Sequence, residues 1–307
     1  MTDWSSGRRI RLALPAATLA VALLSAACGG GGNKPQTATS SNPAAGTTKD
    51  AKIAAEVPAS LASKGTLTVA SDASYPPMEY FAPDNKTVIG ADVDIGHAIG
   101  AVLGLKFNFV NASFDGIIPG LKSGKYDIGI SSFFDTKERE AIVDMVDYFQ
   151  AGSAIFVKST DTNNYTSLDQ FCGKAVAAES GTTELDDAKT ASRTCQSEGK
   201  QPINALSFND QNGVNLAVIS GRAAAGLADT EVAQYQTRQT NGQLRFAGNY
   251  AAAVLYGMAV PKGNGTATAM KDALQKLYSD GTFKKILDKY GIGSGILSAP
   301  GINGATS

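Results

Sequence analysis

Residues able to run acid/base or covalent chemistry at neutral pH are scarce in this chain. Its one histidine, His97, falls in a predicted helix among apolar residues, the setting of a packing or surface residue rather than a proton-transfer catalyst. No GxSxG elbow, phosphate-binding loop or metal-ligand cluster occurs, and no cofactor is implied. Binding chemistry is better supplied. Gly181-Thr182-Thr183 precedes a predicted helix, where free backbone N–H groups and the helix dipole favour an anion, although such a turn also serves as a plain helix cap. Arg139, in Asp135-Thr136-Lys137-Glu138-Arg139, carries a guanidinium fork of the kind that grips a carboxylate with two hydrogen bonds. Asp229 ends an apolar strand just before a predicted helix at Thr230, the position of a helix cap.

The part of the chain that positions these groups starts well inside it. Arg8, Arg9 and Arg11 precede an apolar run from Leu12 to Leu24 and then Leu24-Ser25-Ala26-Ala27-Cys28-Gly29, the order of a signal peptide over residues 1–27. That run is about half the roughly 20 residues a spanning helix needs, so removal is expected rather than permanent insertion. A cysteine after the small-residue cleavage site resembles the bacterial lipobox, with its leucine one place early and Ser25 where leucine is usual. The resemblance implies acylation of Cys28 and anchoring at the extracytoplasmic face of the membrane; a plain secretory signal with an incidental cysteine is the alternative. The Arg8-Arg9 pair leaves the export route open. Residues 28–60 read as the anchor and a flexible tether, being rich in Gly, Asn, Pro, Thr, Ser and Ala to about Glu56. Cys172 and Cys195 remain in an oxidising setting, where one disulfide is expected and two free buried thiols are the alternative; without a CxxC pattern, zinc and redox roles are disfavoured. Loss of Asp3 and the three signal arginines takes the formal charge from −1 to −3, which disfavours nucleic acid as a partner.

From about Leu61 to Leu297, apolar runs alternate with amphipathic stretches of helical spacing, the pattern of βαβ units around mainly parallel sheets. The pattern occurs twice. A helix, then Ser123-Gly124-Lys125 or Ser220-Gly221-Arg222, then a short apolar strand ending in small or hydroxyl residues, closes each round. Two similar α/β lobes follow, with strand C-termini and helix N-termini facing a shared cleft.

Within this frame, Ser71-Asp72-Ala73-Ser74-Tyr75-Pro76-Pro77-Met78-Glu79-Tyr80, Ile89-Gly90-Ala91-Asp92-Val93-Asp94-Ile95 and Phe114-Asp115-Gly116-Ile117-Ile118-Pro119-Gly120-Leu121 resemble the polar amino-acid solute-binding proteins of ABC importers. Ser131 to Arg139 and Asp280-Gly281-Thr282-Phe283 extend the resemblance over nearly the whole folded part. It implies a periplasmic-binding-protein type 2 fold, two α/β lobes joined by two crossing hinge segments. Lobe 1 is expected at 61–155 plus 252–297, lobe 2 at 156–251, and a loose tail at 298–307. A zwitterion needs a cation and amide donors for its carboxylate and an anion for its ammonium. The resemblance assigns the first role to Arg139 with Thr182 and Thr183, and the second to Asp229. Tyr75 and Phe114 would sandwich the ligand side chain, Asp72 would accept hydrogen bonds from its polar end, and Ser131 and Ser132 match the family's hydroxyls at the strand end. Phe134 departs from the pattern, standing where Ser or Thr is usual. The lost hydroxyl is worth on the order of 1 kcal/mol, and it leaves basic amino acids, glutamine, acidic amino acids and derivatives all open.

The reading that results is a monomeric capture protein delivering an amino acid to an ABC permease by cleft closure, the lobe with Tyr75, Phe114 and Arg139 binding first and the lobe with Thr183 and Asp229 closing over the ligand. A ligand-sensing module for a membrane receptor uses the same cleft. Dehydratases of the same fold form the enzymatic alternative.

Overall fold

A computed structural model of the 307-residue chain describes Ala44 and residues 46–306. The expected signal peptide, Cys28 and most of the tether lie outside the described residues.

Two mixed sheets carry the fold. The first runs, edge to edge, through Ile296–Ile302, Val143–Ala151, Val254–Pro261, Ile128–Gly129, Thr66–Ser71 and Lys106–Asn111. Thr66–Ser71 pairs in parallel on both sides, whereas Val254–Pro261 and Ile296–Ile302 pair antiparallel. The second runs through Asn204–Phe208, Ala175–Glu179, Ala225–Asp229, Ser153–Lys158 and Leu244–Asn249, parallel among the first three strands and antiparallel beyond. The expectation of mainly parallel sheets therefore holds only for the βα half of each. Ser153–Lys158 and Val254–Pro261 enter directly from the opposite lobe with no crossover helix before them, and such strands are free to pair antiparallel. A small antiparallel sheet of Ser74–Tyr75, Glu79–Phe81 and Val88–Ile89 carries Tyr75.

Apolar periodicity places the helices. Ala91–Leu103 buries Ile95 and Ile99, Thr266–Ser279 buries Leu274 and Leu277, and Thr282–Tyr290 buries Phe283 and Leu287, all fully. At about 1.5–3 kcal/mol for each such side chain, this packing dominates the stability of the first lobe. Among the described residues no helix is long and apolar enough to cross a membrane.

The chain crosses between lobes twice. Val143–Ala151 runs through Gly152 into Ser153–Lys158, and Leu244–Asn249 returns through residues 250–253 into Val254–Pro261. The lobe limits thus fall at Gly152 and just before Val254, a few residues from those expected. The crossings lie side by side: a Cβ on Gly152 would come within 2.7 Å of the Ala251 carbonyl oxygen.

Both ends of the folded body depart from expectation. The tether was expected to reach residue 60, but the Asp50 carboxylate caps the turn Ala51–Ala54, its own N–H donates to the Val102 carbonyl, and Val57 and Leu61 are buried. Ile53, Val57 and Leu61, four residues apart, are the sparse apolar stripe that docks this segment. The tail expected to be loose beyond 298 is instead the edge strand Ile296–Ile302 on Val143–Ala151. Past it, the Ala305 N–H donates to Asp135 (3.1 Å) and Glu140 (2.9 Å). A composition of Gly, Ser and Ala conceals a segment held by backbone hydrogen bonds to an open sheet edge.

Candidate binding cleft

Strand C-termini and helix N-termini from both lobes converge on a nearly closed cavity of about 10 Å³. Of the ten ligand residues expected from the sequence, Tyr75, Phe114, Ser132, Phe134 and Arg139 line it from the first lobe and Thr182, Thr183 and Asp229 from the second. Asp72 and Ser131 do not line it. Glu184, which the sequence reading passed over, does.

Arg139 sits in a single helical turn, Lys137–Glu140, started by the Thr136 hydroxyl accepting the Arg139 N–H (3.2 Å). Its guanidinium lies over Phe114 and Phe133, 5.4 and 5.3 Å from the ring centres. Nη1 donates to the Phe134 carbonyl (2.7 Å) and Nη2, across the cleft, to the Gly181 carbonyl (3.1 Å). A guanidinium has five N–H donors, so these two bonds leave capacity for a carboxylate. Gly181 has φ +79°, and a Cβ there would stand 2.8 Å from the Asp115 Cβ of the opposite lobe. Thr182 caps the helix Thr183–Ser197, its hydroxyl accepting the Leu185 N–H (3.3 Å), which turns that helix's N-terminus toward the cavity.

Opposing Arg139 is a pair of carboxyls. Ser153 Oγ donates to Glu184 Oε1 (2.7 Å) and Thr183 Oγ1 to Glu184 Oε2 (3.1 Å), while Tyr256 OH donates to Asp229 Oδ2 (2.5 Å). Burial first, and then the charge of Glu184, hold the Asp229 carboxyl well above the usual carboxylate range. Asp229 occupies the capping position of Thr230–Gln239 but makes no side-chain capping bond. The arrangement presents a cation on one wall and two acidic groups on the other, matched to the two charged ends of an α-amino acid.

Tyr75 and Phe114 face each other with ring centres 6.2 Å apart and planes 20° from parallel. Asp72 lies at the start of the Phe114–Lys122 helix, where its carboxylate accepts the Phe114 N–H (3.1 Å). In the second lobe Glu179, the last residue of an otherwise apolar strand, is 1% exposed and without a hydrogen-bond partner at either carboxylate oxygen. Ser131 has a supporting role rather than the expected place at the cavity: its hydroxyl accepts the Asp72 N–H (2.9 Å) and donates to Glu79 (3.0 Å). Ser132, at φ +48°, lines the cavity while its N–H donates to Asp92 (3.0 Å). Glu79 and Asp92 are fully buried together, and burial with Asp92's charge pushes Glu79 far up. The Phe134 ring packs on Tyr256, 5.3 Å between centres. His97 stands on the exposed face of its helix, edge-on to Phe109 at 5.3 Å. The structure joins Cys172 to Cys195, tying the turn Leu168–Phe171 to the Thr183–Ser197 helix.

Glu184 had a readable signal, an acid directly after the Gly-Thr-Thr turn on a helix start that faces the cleft. Tyr256 had none, because an aromatic in the middle of an apolar strand reads as core.

Residues 67–293 match the family model described as bacterial extracellular solute-binding proteins, family 3. The arginine-binding protein ArgT of Corynebacterium glutamicum is 33% identical over 253 residues, 82% of this chain and 83% of that protein. An ancestral arginine-binding protein solved with arginine superposes with a TM-score of 0.68 at 33% identity, over 74% of this chain and 98% of the other. An ancestral arginine-binding protein solved with glutamine gives 0.67 at 32%, with the same coverage.

Proposed function

The chain belongs to the bacterial extracellular solute-binding proteins, family 3, and we propose that it captures a free α-amino acid between its lobes and delivers it to a membrane permease. The observation that carries this reading is the opposition of Arg139 to Asp229 and Glu184 within one cavity. The Arg139 fork, with the Thr183 helix start, holds the ligand carboxylate, and the acidic pair takes its ammonium. Relatives named for arginine make L-arginine the first ligand to try. The ligand leaves as it entered: the role is capture without chemistry. Anchoring through acylated Cys28 at the extracytoplasmic face, action as a monomer and hand-over to an ABC permease complete the proposal.

Calorimetry of the mature protein against the proteinogenic amino acids tests it. Binding of at least one, recovered unchanged, supports the reading; silence from all of them ends it. Anchoring is tested separately, since Cys28→Ala should release the protein from membranes into the soluble fraction.

A further inference from the structure

The single helical turn that carries Arg139 is held away from the cleft as well as within it. On the strand Val254–Pro261, the Leu255 carbonyl accepts the Asp135 N–H (2.7 Å), Tyr256 bridges to Phe134, and Lys262 Nζ donates to the Glu140 carbonyl. The segment beyond Ile302 adds a second hold. Asn303 is fixed to the strand Val143–Ala151, its N–H donating to the Met145 carbonyl (2.9 Å) and its Oδ1 accepting the Met145 N–H (2.8 Å). The next two N–H groups reach carboxylates. Gly304 donates to Asp147 Oδ2 (3.1 Å), and Ala305 donates to both Asp135 Oδ2 (3.1 Å) and Glu140 Oε1 (2.9 Å). One backbone N–H thus ties a residue just before the Arg139 turn to the last residue of that turn.

The contact is built into the fold. Asp135, Glu140, Asp147 and Ala305 are all buried. A Cβ at Gly304 would stand 2.6 Å from Asp147 Oδ2 and 2.8 Å from Leu255 Cδ1, so the chain passes there only as glycine. Three acids can crowd one segment because their charges are answered. Lys137 pairs with Glu140 Oε2 (2.8 Å), and Asp135 Oδ1 and Asp147 Oδ1 are both buried without another partner, the place for a shared proton. Burial first, and then Asp147 and Glu140, push the Asp135 carboxyl up to about 8.

We propose that Gly304 and Ala305 form a buttress that positions the Arg139 turn, so that a segment outside the cavity strengthens the grip on the ligand's carboxylate. This rests on the amino-acid reading above and adds to it a part of the chain beyond the family match, which ends at residue 293. None of residues 303–306 lines the cavity, so their effect on binding passes through Arg139. A four-residue turn has almost no stability of its own. Its place, and with it the direction of a long guanidinium side chain, is set by what clamps its two ends. Without the clamp, the ligand itself must order the turn, and that ordering is subtracted from its affinity.

The test deletes residues 304–307, which leaves Asn303 and the edge strand Ile296–Ile302 in place. Beside it stand Ala305→Pro, which removes the N–H, and Ala305→Gly, which keeps it. Binding is measured by calorimetry with L-arginine first and then with each other proteinogenic amino acid. The deletion and Ala305→Pro should each weaken binding by about tenfold, whereas Ala305→Gly should bind as the intact protein does. In an Arg139→Lys background, where no fork remains to be aimed, the deletion should cost about threefold at most. If the shortened chain does not melt cooperatively, the Pro and Gly pair decides alone. A folded deletion variant with unchanged affinity overturns the proposal. So does an equal loss with Arg139 and with Lys at that position, or an equal loss for Ala305→Pro and Ala305→Gly; each of these leaves the amino-acid reading intact. An intact protein that binds no amino acid overturns both.

Discussion

Arg139 combines two tasks in one side chain, latching the lobes through Gly181 and offering its remaining N–H groups to the cavity. Arg139→Ala should therefore weaken amino-acid binding by at least about 2 kcal/mol, as expected when a buried carboxylate loses its charged partner. Arg139→Lys, which keeps the charge but not the fork, should recover only part of it. Calorimetry on both variants checks this. A second prediction concerns Glu231, whose carboxyl is largely buried with Oε2 unpartnered and is pushed by burial from 4.5 up to about 7. The native state holds this proton more tightly than the unfolded chain. Its contribution to stability is therefore full below about pH 4.5 and lost as pH rises through about 7. Glu231→Gln should raise the melting temperature at pH 8 and leave it nearly unchanged at pH 4. At this scale the sequence was informative where residue type is rare for its position, as with Arg139 and Asp229. It misled where one residue type serves two purposes. Ser131 carries the expected hydroxyl but turns it to Glu79 and the Asp72 N–H, and Glu179, ending the run Ala-Val-Ala-Ala, gave no hint that its carboxyl would be sealed in.

The turn at Gly181 is the element on which closure depends. Alanine there would carry the left-handed φ cost of about 1–2 kcal/mol and press its Cβ toward the Asp115 Cβ, 2.8 Å away. The clash exists only with the lobes together, so Gly181→Ala should weaken ligand binding by about tenfold or more, measured by calorimetry. The Ser180–Gly181–Thr182 turn also gives the Ser180 hydroxyl to Asp115 (3.0 Å). Among the elements, helices with a clear 3.6-residue stripe, such as Thr282–Tyr290, are legible from apolar spacing alone. Strands that cross between lobes, and the Ile296–Ile302 strand, were not. Their positions are fixed by hydrogen bonds to a distant edge, which composition does not encode.

For the whole molecule, the lobes meet through several independent bonds: Ser74 accepts from the Gln211 N–H (3.1 Å) and from Gln236 Nε2 (3.3 Å), and Arg139 and Tyr256 reach Gly181 and Asp229. The disulfide takes no part in this. Cys195 lies roughly 18 Å along its helix from the cavity-facing end, at 1.5 Å per residue. Replacing both cysteines by serine should lower the stability of lobe 2 by about 3 kcal/mol on the chain-entropy model and leave ligand affinity nearly unchanged. Denaturant unfolding and calorimetry measure the two. The twofold lobe plan was visible in the repeated helix, Ser-Gly-basic and strand succession. The closeness of the two crossings at Gly152 and Ala251 was not, because it depends on how the sheets meet. Those crossings also set an order of assembly. The second sheet is built wholly from residues 153–249, a continuous stretch that starts and stops at neighbouring points. The first sheet holds Val254–Pro261 in its interior, between Ile128–Gly129 and Val143–Ala151. A chain emerging with its N-terminus first can therefore finish lobe 2 while lobe 1, whose early strands were made first, still waits for its central strand and its final edge.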